Sequence, residues 1–324
     1  MSELKVGFIG AGGIAARHLG VLSGFDDVRV TALADVDADR ALDLARPLGA
    51  QGYGDWRRML DVEALDALWI CVPPFAHGEP EHAAIARGLP FFVEKPLSHT
   101  LDVAEEIARA VEAAGLVTAV GYHWRYMDTV DRARGVLAER PARLITGYWL
   151  DSTPPVGWWG RQVQSGGQMV EQTTHIFDLA RWLVGEVEEV YAVGGRTPRD
   201  AWPDVDIAEA TTATLTFETG AVGALSSSCL LGWKHRVGLH LFGDDLVMEI
   251  DEGGVGIYGA PGTIEQHAAA DPVVAEDRDF LEAARGAENR IRSPYAEALR
   301  THRVTMAANR SLETGRPVRL KEFA

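Results

Sequence analysis

The sequence contains little cysteine. Of its 324 residues only two are cysteines, Cys71 and Cys229, and each lies in a separate apolar segment, LWICV and SSSCLL. This pattern predicts two small buried side chains, not a disulfide or a pair of metal ligands. It excludes a zinc cluster built on thiolates, and it is typical of a protein of the reducing cytoplasm.

Positive charge and long apolar runs are also scarce. The formal net charge is −16 at pH 7, and the arginines are scattered along the chain. We expect neither nucleic acid nor a membrane surface as a partner, because binding to either needs a basic patch. No apolar run approaches the roughly 18 residues of a membrane span, and the N-terminal MSELKVGFIGAGG lacks a cleavage-site pattern. We therefore expect no membrane anchor and no secretion signal.

The first 122 residues alternate short β-rich runs with helical patterns. Such alternation predicts parallel strands joined by helical crossovers, and six strands of this kind form a doubly wound α/β sheet. The strand-like segments include LKVGFIG, VRVTALAD, ALWICV, PFFVEKP and LVTAVGY, and helices are predicted over 13–23, 37–48, 79–87 and 100–114. We expect one domain over residues 1–122.

After residue 122 the apolar residues fall at every second place in a series of longer runs, from EVYAVGG to GVGIYG. This alternation predicts an open, mainly antiparallel sheet with one covered face. The other face, rich in threonine and serine, is either solvated or in contact with a second subunit. Helices are predicted over 128–138, within 166–185, and over 276–286 and 294–314. We expect a second, α+β domain over residues 123–324.

A glycine-rich turn follows the first predicted strand. Gly10, Gly12 and Ala15 form a G-x-G-x-x-A pattern at the start of the first predicted helix, with Gly13 and Ile14 between them. Glycines at these places let the backbone approach a pyrophosphate, whose charge is met by free amides at the helix N-terminus. The pattern predicts a dinucleotide site.

Asp35 ends the second predicted strand, at the separation expected of the acid that binds the adenosine ribose in a Rossmann domain. A carboxylate at that point repels the additional phosphate of NADP, so NAD is the expected cofactor. Arg40, a few residues later, is a positive charge that would favour NADP instead. Together, the glycines and Asp35 predict a dinucleotide-binding Rossmann domain over residues 1–122.

The segment GGQMVEQTTHIFDLARWLVG, residues 166–185, places Glu171 four residues before His175 on a predicted helix. On an arbitrary helix such a pair is a solvated contact worth about 0.2–0.5 kcal/mol, and His175 also fits a buried histidine with a satisfied hydrogen bond. The alternative is a polar face turned toward a ligand.

Lys95 follows the predicted strand PFFV, where parallel strands line a ligand crevice. The alternative interpretation is that Lys95 is an exposed lysine of a loop.

Three features together resemble the glucose-fructose oxidoreductase and inositol dehydrogenase family (Gfo/Idh/MocA). They are the glycine fingerprint, the tripeptide Glu94-Lys95-Pro96 after the fifth strand, and the GG-containing loop before a helix with an acid four residues ahead of a histidine. The resemblance spans essentially the whole chain. It implies a nicotinamide-binding domain, an open-sheet domain for substrate binding and oligomerisation, and NAD-dependent oxidation or reduction of secondary alcohols in sugars and cyclitols. It also implies a homodimer or homotetramer.

The resemblance assigns catalytic roles. Lys95 matches the family's lysine, which would stabilise the developing alkoxide, and His175 matches its catalytic histidine, which would take the hydroxyl proton. Glu171 stands where the family usually has aspartate, so it either meets a substrate hydroxyl or folds back on His175. A metal site from Glu171, His175 and His123 is the alternative, but the chain has no H-E-x-x-H or cysteine pattern, and no metal is expected.

Further positions are implied by three segments. VPPFAH resembles the family's loop under the cofactor, with Pro74 in place of the common asparagine. GYHWRYM matches the family's substrate-side segment. The two adjacent tryptophans, with a nearby arginine, match an element at the mouth of the family's pocket. The implied cofactor contacts are Gly10, Gly12, Gly13, Ile14, Ala15, Asp35, Val72, Pro73, His77, Glu94, Lys95 and Arg161. The implied substrate contacts are His123, Arg125, Trp158 and Trp159, of which at most one tryptophan is expected to stack on a sugar ring.

These features lead to three hypotheses. The first is an NAD-dependent dehydrogenase or reductase acting on a ring hydroxyl of a sugar, glycoside or cyclitol. The second keeps NAD bound and uses transient oxidation for another reaction, such as glycoside cleavage. The third is a dinucleotide-sensing protein without chemistry, which the joint presence of Lys95 and His175 disfavours. Turnover of free NAD distinguishes the first two.

Overall fold

The computed structural model describes residues 3–197, 202, 204–260 and 262–323. The chain forms two compact units. The first consists of Met1–Ser98, Asp102–His123 and Val273–Ala298, and the second of His99–Leu101, Trp124–Pro272 and Leu299–Ala324. The predicted boundary at residue 122 assigns Val273–Ala298 to the second domain, whereas in the structure this segment clusters with the first unit.

The described residues form the following strands and helices. The strands are β1 Leu4–Ile9, β2 Val28–Ala34, β3 Gln51–Tyr53, β4 Ala67–Ile70, β5 Phe91–Val93, β6 Thr118–Val120, β7 Leu144–Ser152, β8 Val187–Gly195, β9 Ala210–Phe217, β10 Val222–Leu231, β11 Arg236–Gly243, β12 Leu246–Asp251, β13 Gly254–Gly259, β14 Ile264–His267 and β15 Val318–Arg319. The α-helices are α1 Gly13–Leu22, α2 Ala38–Ala45, α3 Trp56–Val62, α4 Glu79–Ala86, α5 Leu101–Ala114, α6 Asp128–Glu139, α7 Gln162–Ser165, α8 Gln168–Glu171, α9 Thr174–Val184, α10 Pro272–Ala284 and α11 Tyr295–Thr314.

The first unit contains a six-stranded sheet in the order β3-β2-β1-β4-β5-β6, and every pairing within it is parallel. Its strands are short, and β4, β5 and β6 are buried along their whole length. Burial on both faces is what helices on either side of a parallel sheet produce. The predicted doubly wound sheet is confirmed.

Helix α10 packs on this sheet through aromatic contacts. Phe280 meets Trp69 of β4 edge to face, with ring centroids 5.0 Å apart, and meets Phe92 of β5 at 5.9 Å. Edge-to-face pairs of this kind are favourable beyond the area they bury. They explain why Val273–Ala298 belongs to the first unit, because sequence periodicity reports that a helix has an apolar face but not which sheet that face covers.

The second unit contains a nine-stranded sheet in the order β14-β13-β12-β11-β7-β10-β9-β8-β15. Every pairing is antiparallel except that of β7 with β10, which is parallel. Alternate residues of β9 and β10 are buried in the core of this unit, while those between them are half-buried or exposed. The predicted open, mainly antiparallel sheet with one covered face is confirmed.

The helix predicted around residues 166–185 is interrupted. Helix α8 ends at Glu171 and helix α9 begins at Thr174, so Glu171 and His175 do not share one continuous helix. At the junction Thr173 N donates to Gln168 O, five residues back, and His175 N donates to Gln172 O, three residues back. Two adjacent β-branched threonines weaken the helix here, and the predicted one-turn spacing on a single helix is therefore wrong.

None of the helices in the described ranges is both long and apolar enough to cross a membrane.

Candidate functional site

The glycine turn lies where the order of strands in the first sheet reverses. The chain proceeds from β1 outward to β3 on one side and from β4 outward to β6 on the other, so β1 and β4 are neighbours at the switch point. Ligands of doubly wound sheets bind in the crevice beyond the carboxyl ends of such strands. Gly10 follows β1 with φ of 97°, and a Cβ on it would lie 2.2 Å from the carbonyl oxygen of Cys71, directly after β4. Only glycine fits there.

Gly12 and Gly13 are glycines for a different reason. Gly12 has an ordinary φ of −82°, and a Cβ on either residue would meet no atom within 4 Å. The packing of the chain therefore does not require glycine at these two places, whereas a ligand pressed against the backbone does. Helix α1 begins at Gly13, and its first amides form an anion-binding end. Ile14 and Ala15 follow in the first turn, and Ala15 is fully buried.

Asp35 is fixed directly after β2. Its carboxylate accepts hydrogen bonds from the backbone N–H of Ala11, at 2.8 Å, and of Asp37, at 2.9 Å. The first bond ties Asp35 to the glycine turn. Arg40 Nη1 lies 3.8 Å from Asp35 Oδ2, while its Nη2 donates to Asp37 at 3.1 Å. Arg40 thus faces two carboxylates, which together oppose an additional phosphate at this place.

The segment after β4 carries Val72, Pro73 and the buried His77. His77 Nδ1 lies 2.6 Å from Glu81 Oε1, and the other oxygen of Glu81 accepts from Gly78 N at 2.6 Å. Among the described residues, His77 Nε2 is buried and has no hydrogen-bond partner. A buried nitrogen of this kind is costly unless it has a partner. His77 is therefore oriented by Glu81 and leaves one nitrogen for a ligand.

Lys95 lies directly beyond the carboxyl end of β5, at the same edge of the sheet as the glycine turn. The preceding Glu94 is buried, and its Oε2 accepts from the backbone N–H of Lys95 at 3.1 Å. The backbone N–H of Glu94 donates to Ile70 O at 2.9 Å, which joins the segment to β4. The predicted cofactor residues of this unit thus gather at one edge of one sheet.

Sequence reasoning missed His18, whose two ring nitrogens both lie within hydrogen-bond distance of carboxylates. It lies on the buried side of α1, with Nδ1 2.8 Å from Asp277 Oδ1 and Nε2 3.0 Å from Glu94 Oε1. Burial alone lowers the pKa of His18, but the two carboxylates raise it from 6.5 to about 10. The available signal was a histidine on the otherwise apolar face of the first helix.

In the second unit, His175 lies in the first turn of α9 and stacks on Trp149 of β7, with ring centroids 5.6 Å apart and planes 18° apart. Trp159 Nε1 donates to Glu171 Oε2 at 2.6 Å. Trp159 is fully buried in a small core, whereas Trp158 is half-buried. As expected, the two adjacent tryptophans differ, and Trp159 is the one that packs.

Arg125, a predicted substrate contact, is enclosed by the second unit. It is 0% exposed, and its Nε and Nη2 donate to the two oxygens of Asp178 at 2.7 and 2.6 Å. Its guanidinium also lies 4.5 Å from the centre of the Trp182 ring. A guanidinium enclosed in this way has no open side for a substrate, so we assign it a structural role.

Two further predicted site residues lie elsewhere. Arg161 is half-exposed, with Nη2 3.3 Å from Asp204 Oδ1. His123 begins the helical turn after β6.

The structure therefore gathers two sets of predicted residues. The fingerprint, Asp35, the loop after β4 and Lys95 belong to the first unit, and Glu171, His175, Trp158, Trp159 and Arg161 belong to the second. In the described parts of the chain, no group of three or more histidine, cysteine, aspartate or glutamate side chains is placed to hold a metal ion.

Comparison with known proteins gives two matches to family models. The model described as an oxidoreductase family with an NAD-binding Rossmann fold, GFO_IDH_MocA, matches residues 4–122. The model of the GFO/IDH/MocA C-terminal domain matches residues 142–249. Each match lies within the corresponding sheet region of the chain.

Known relatives span nearly the whole chain. The uncharacterized oxidoreductase YrbE of Bacillus subtilis is 28% identical over 98% of this chain and 93% of its own length. The myo-inositol 2-dehydrogenase of Thermotoga maritima is 25% identical over 98% of this chain and 99% of its own. A solved levoglucosan dehydrogenase in complex with NADH has a TM-score of 0.89 at 21% identity, covering 98% of this chain and 99% of that one. The last likeness shows the shared fold.

Proposed function

Because the chain belongs to the Gfo/Idh/MocA family of oxidoreductases with an NAD-binding Rossmann domain, we propose that it transfers a hydride between NAD and a secondary hydroxyl or keto position of a sugar, glycoside or cyclitol. The observation that carries the proposal is the edge of the first sheet, where the glycine turn and Lys95 lie together. The relatives named myo-inositol 2-dehydrogenase and levoglucosan dehydrogenase support this substrate class.

The residues present fit NAD. Gly12 and Gly13 leave open space beside the backbone, His77 has a buried nitrogen without a partner in the described chain, and Asp35 is fixed after β2. When bound, the nicotinamide supplies the hydride acceptor or donor. The carboxylates of Asp35 and Asp37 support a preference for NAD over NADP, since both oppose a phosphate on the ribose.

We assign the proton transfer to His175. Oxidation of a secondary alcohol needs a base for the hydroxyl proton, and a positioned base contributes about a hundred- to ten-thousand-fold in rate. Stacking on Trp149 supports the assignment, because it fixes the plane of the His175 ring. We assign the stabilisation of the developing alkoxide to the ammonium group of Lys95, a fixed positive charge that is worth most in a site from which water is excluded.

We propose that Glu171 either supports the protonated form of His175 or grips a substrate hydroxyl. Its hydrogen bond from Trp159 fixes one carboxylate oxygen. The variant Glu171→Gln keeps the shape and removes the charge. If the carboxylate supports a cationic His175, the pH profile of kcat shifts toward lower pH, since the imidazolium loses its partner. If it grips a hydroxyl, KM rises and the profile stays in place.

The experiment is a screen of sugars, glycosides and inositols for NADH formation, followed by variants. His175→Ala should lower kcat by about a hundred-fold or more with NAD affinity nearly unchanged, and Lys95→Ala should lower it to a similar degree. His82→Ala and Lys321→Ala are matched controls, because each removes an exposed side chain that pairs with a glutamate on the surface. If His175→Ala keeps most of its activity on a proven substrate, the assignment of the base is wrong.

A second outcome of the same screen concerns NAD retention. If NAD stays bound through purification and glycosides are cleaved without release of NADH, the hypothesis of transient oxidation replaces that of a dehydrogenase. If the protein binds NAD but converts no substrate, a sensing role replaces both.

A further inference from the structure

Two carboxylates hold both ring nitrogens of His18. Nδ1 lies 2.8 and 2.9 Å from the two oxygens of Asp277, and Nε2 lies 3.0 Å from Glu94 Oε1. His18 is fully buried. A neutral imidazole donates from only one nitrogen, whereas an imidazolium donates from both. Two ionised carboxylates need a donor at each ring nitrogen, which only the cationic form of His18 provides.

The charged and titratable groups around His18 come from several elements. Asp277 and Glu276 lie on α10, Glu94 follows β5, Cys71 follows β4, and Arg17 precedes His18 on α1. Burial raises the pKa of Glu276 well above its usual range. Burial also raises the pKa of the Cys71 thiol. The two carboxyl groups that contact the His18 ring are those of Asp277 and Glu94, and burial raises the pKa of Asp277 in spite of the opposing charge of His18.

Glu94 connects this buried cluster to Lys95. One oxygen of Glu94 accepts from His18, and the other accepts from the backbone N–H of Lys95 at 3.1 Å. The backbone of Gly121 packs against the Glu94 carboxylate, since a Cβ on Gly121 would lie 2.4 Å from Glu94 Oε1. Burial by itself would raise the pKa of Glu94, but the hydrogen bond and charge of His18 lower it, with smaller contributions from Lys95 and His123.

We propose that His18 is a positioning residue: held by Asp277, it anchors the Glu94 carboxylate, and Glu94 in turn fixes the backbone of Lys95 at the edge of the sheet. This inference rests on the proposed function, because it assumes that Lys95 acts in hydride transfer. It also gives the segment Val273–Ala298 a functional reason to pack on the first unit, since α10 supplies Asp277.

Loss of the contact between His18 and Glu94 should affect kcat as well as the local structure. If Glu94 is released, the segment of Lys95 loses its fixed position, and a misplacement of about 1 Å costs roughly a hundred-fold in rate. The variant His18→Gln should therefore lower kcat about 10- to 100-fold while KM for substrate changes little. Without the imidazolium the pKa of Glu94 rises, so the acid limb of the kcat profile should move to higher pH.

A matched control separates positioning from loss of stability. Leu22→Ala removes a buried apolar side chain one turn further along the same helix and takes away no hydrogen bond of His18 or Glu94. It should lower the thermal midpoint but leave kcat and its pH profile unchanged. The double variant His18→Gln/Glu94→Gln should be no slower than Glu94→Gln alone, because His18 acts through Glu94. The proposal would be overturned if kcat of the double variant fell by the product of the two factors measured for the single variants.

If His18→Gln does not fold, a measurement on the unaltered protein tests the proposal. With histidines labelled with ¹⁵N, His18 should show two protonated ring nitrogens at pH 8, and a neutral tautomer at that pH would overturn the proposal. Normal kcat in a folded His18→Gln, or a loss no larger than that of Leu22→Ala, would do so as well. If Lys95→Ala keeps full activity, the proposed function fails instead. If Lys95→Ala is inactive while His18→Gln is normal, only the positioning role fails.

Discussion

Asp178→Asn tests the role of Arg125, the predicted substrate contact that the structure encloses. Arg125 makes two charge-assisted hydrogen bonds to Asp178, at 2.7 and 2.6 Å, and both residues are buried. Thr301 Oγ1 donates to Asp178 Oδ1 at 2.6 Å and accepts from Arg181 at 2.6 Å, so a buried network shares the carboxylate. Asparagine retains one acceptor oxygen, but it turns an N–H₂ donor toward a guanidinium or a hydroxyl donor.

The expected loss of stability follows from these bonds. A hydrogen bond to a charged group contributes about 1.5–3 kcal/mol, and removing one partner of a buried ion pair costs about 3–5 kcal/mol. Because asparagine keeps one of the acceptors, we expect Asp178→Asn to lose about 3–4 kcal/mol of unfolding free energy. Such a loss lowers the folding equilibrium constant by a factor of roughly a hundred to a thousand.

Urea unfolding followed by circular dichroism measures this loss. Asp244→Asn is the control, because the pair of Arg143 and Asp244 is exposed and its loss should leave the midpoint in place. The double variant Arg125→Met/Asp178→Leu should recover part of the stability, since apolar side chains can replace a buried ion pair. If Asp178→Asn instead keeps its stability and raises KM, Arg125 serves the substrate and the structural assignment is wrong.

Three further predictions concern the cofactor, pH and assembly. Asp35→Asn should narrow the preference for NAD over NADP by about ten-fold or more in dissociation constants, and tighter NADP binding by the unaltered protein would contradict the reasoning. Because the pKa of His18 is raised from 6.5 to about 10, the stability that its charge contributes is fully present below pH 6.5 and declines by up to about 1.4 kcal/mol per pH unit as the pH rises through 10. Unfolding measured from pH 6 to 10 should show this decline in the unaltered protein and not in His18→Gln. The open face of the second sheet, where Tyr191, Val193 and Val222 are exposed, should form a homo-oligomer interface, and a monomer by light scattering at micromolar concentration would rule this out.

The features that local sequence determines were predicted well. Strands β4 and β5 of the first sheet are apolar throughout, and helices such as α1, α4 and α6 lie within a residue of their expected ranges, because periodicity and glycine or proline signals are local. The glycine fingerprint and Asp35 could be identified for the same reason, since each has a fixed place relative to its strand. β3 and α3 were not singled out, because the residues of β3, QGY, form no apolar run.

The remaining features depend on contacts between distant parts of the chain. The parallel pairing of β7 with β10 joins strands separated in sequence by three helices and two strands, and alternation within a strand does not reveal its neighbour. The buried pairs of His18 with Asp277 and of Arg125 with Asp178 span 259 and 53 residues. Sequence periodicity marks each residue as polar on a buried face, but only the fold provides the partner.

The glutamate at residue 171, where the family resemblance implies an aspartate, is explained by its hydrogen bond with Trp159. Glu171 is the last residue of α8, and its Oε2 reaches Nε1 of the fully buried Trp159 at 2.6 Å. An aspartate, which the family resemblance leads one to expect at this place, is one methylene shorter and would fall short of that nitrogen by more than a hydrogen bond tolerates. Trp159 would then keep a buried donor without its acceptor, which costs about 1–3 kcal/mol. The glutamate and the tryptophan therefore form one unit of this chain: a longer acid at residue 171 is matched to an indole donor that the packing of the second unit fixes in place.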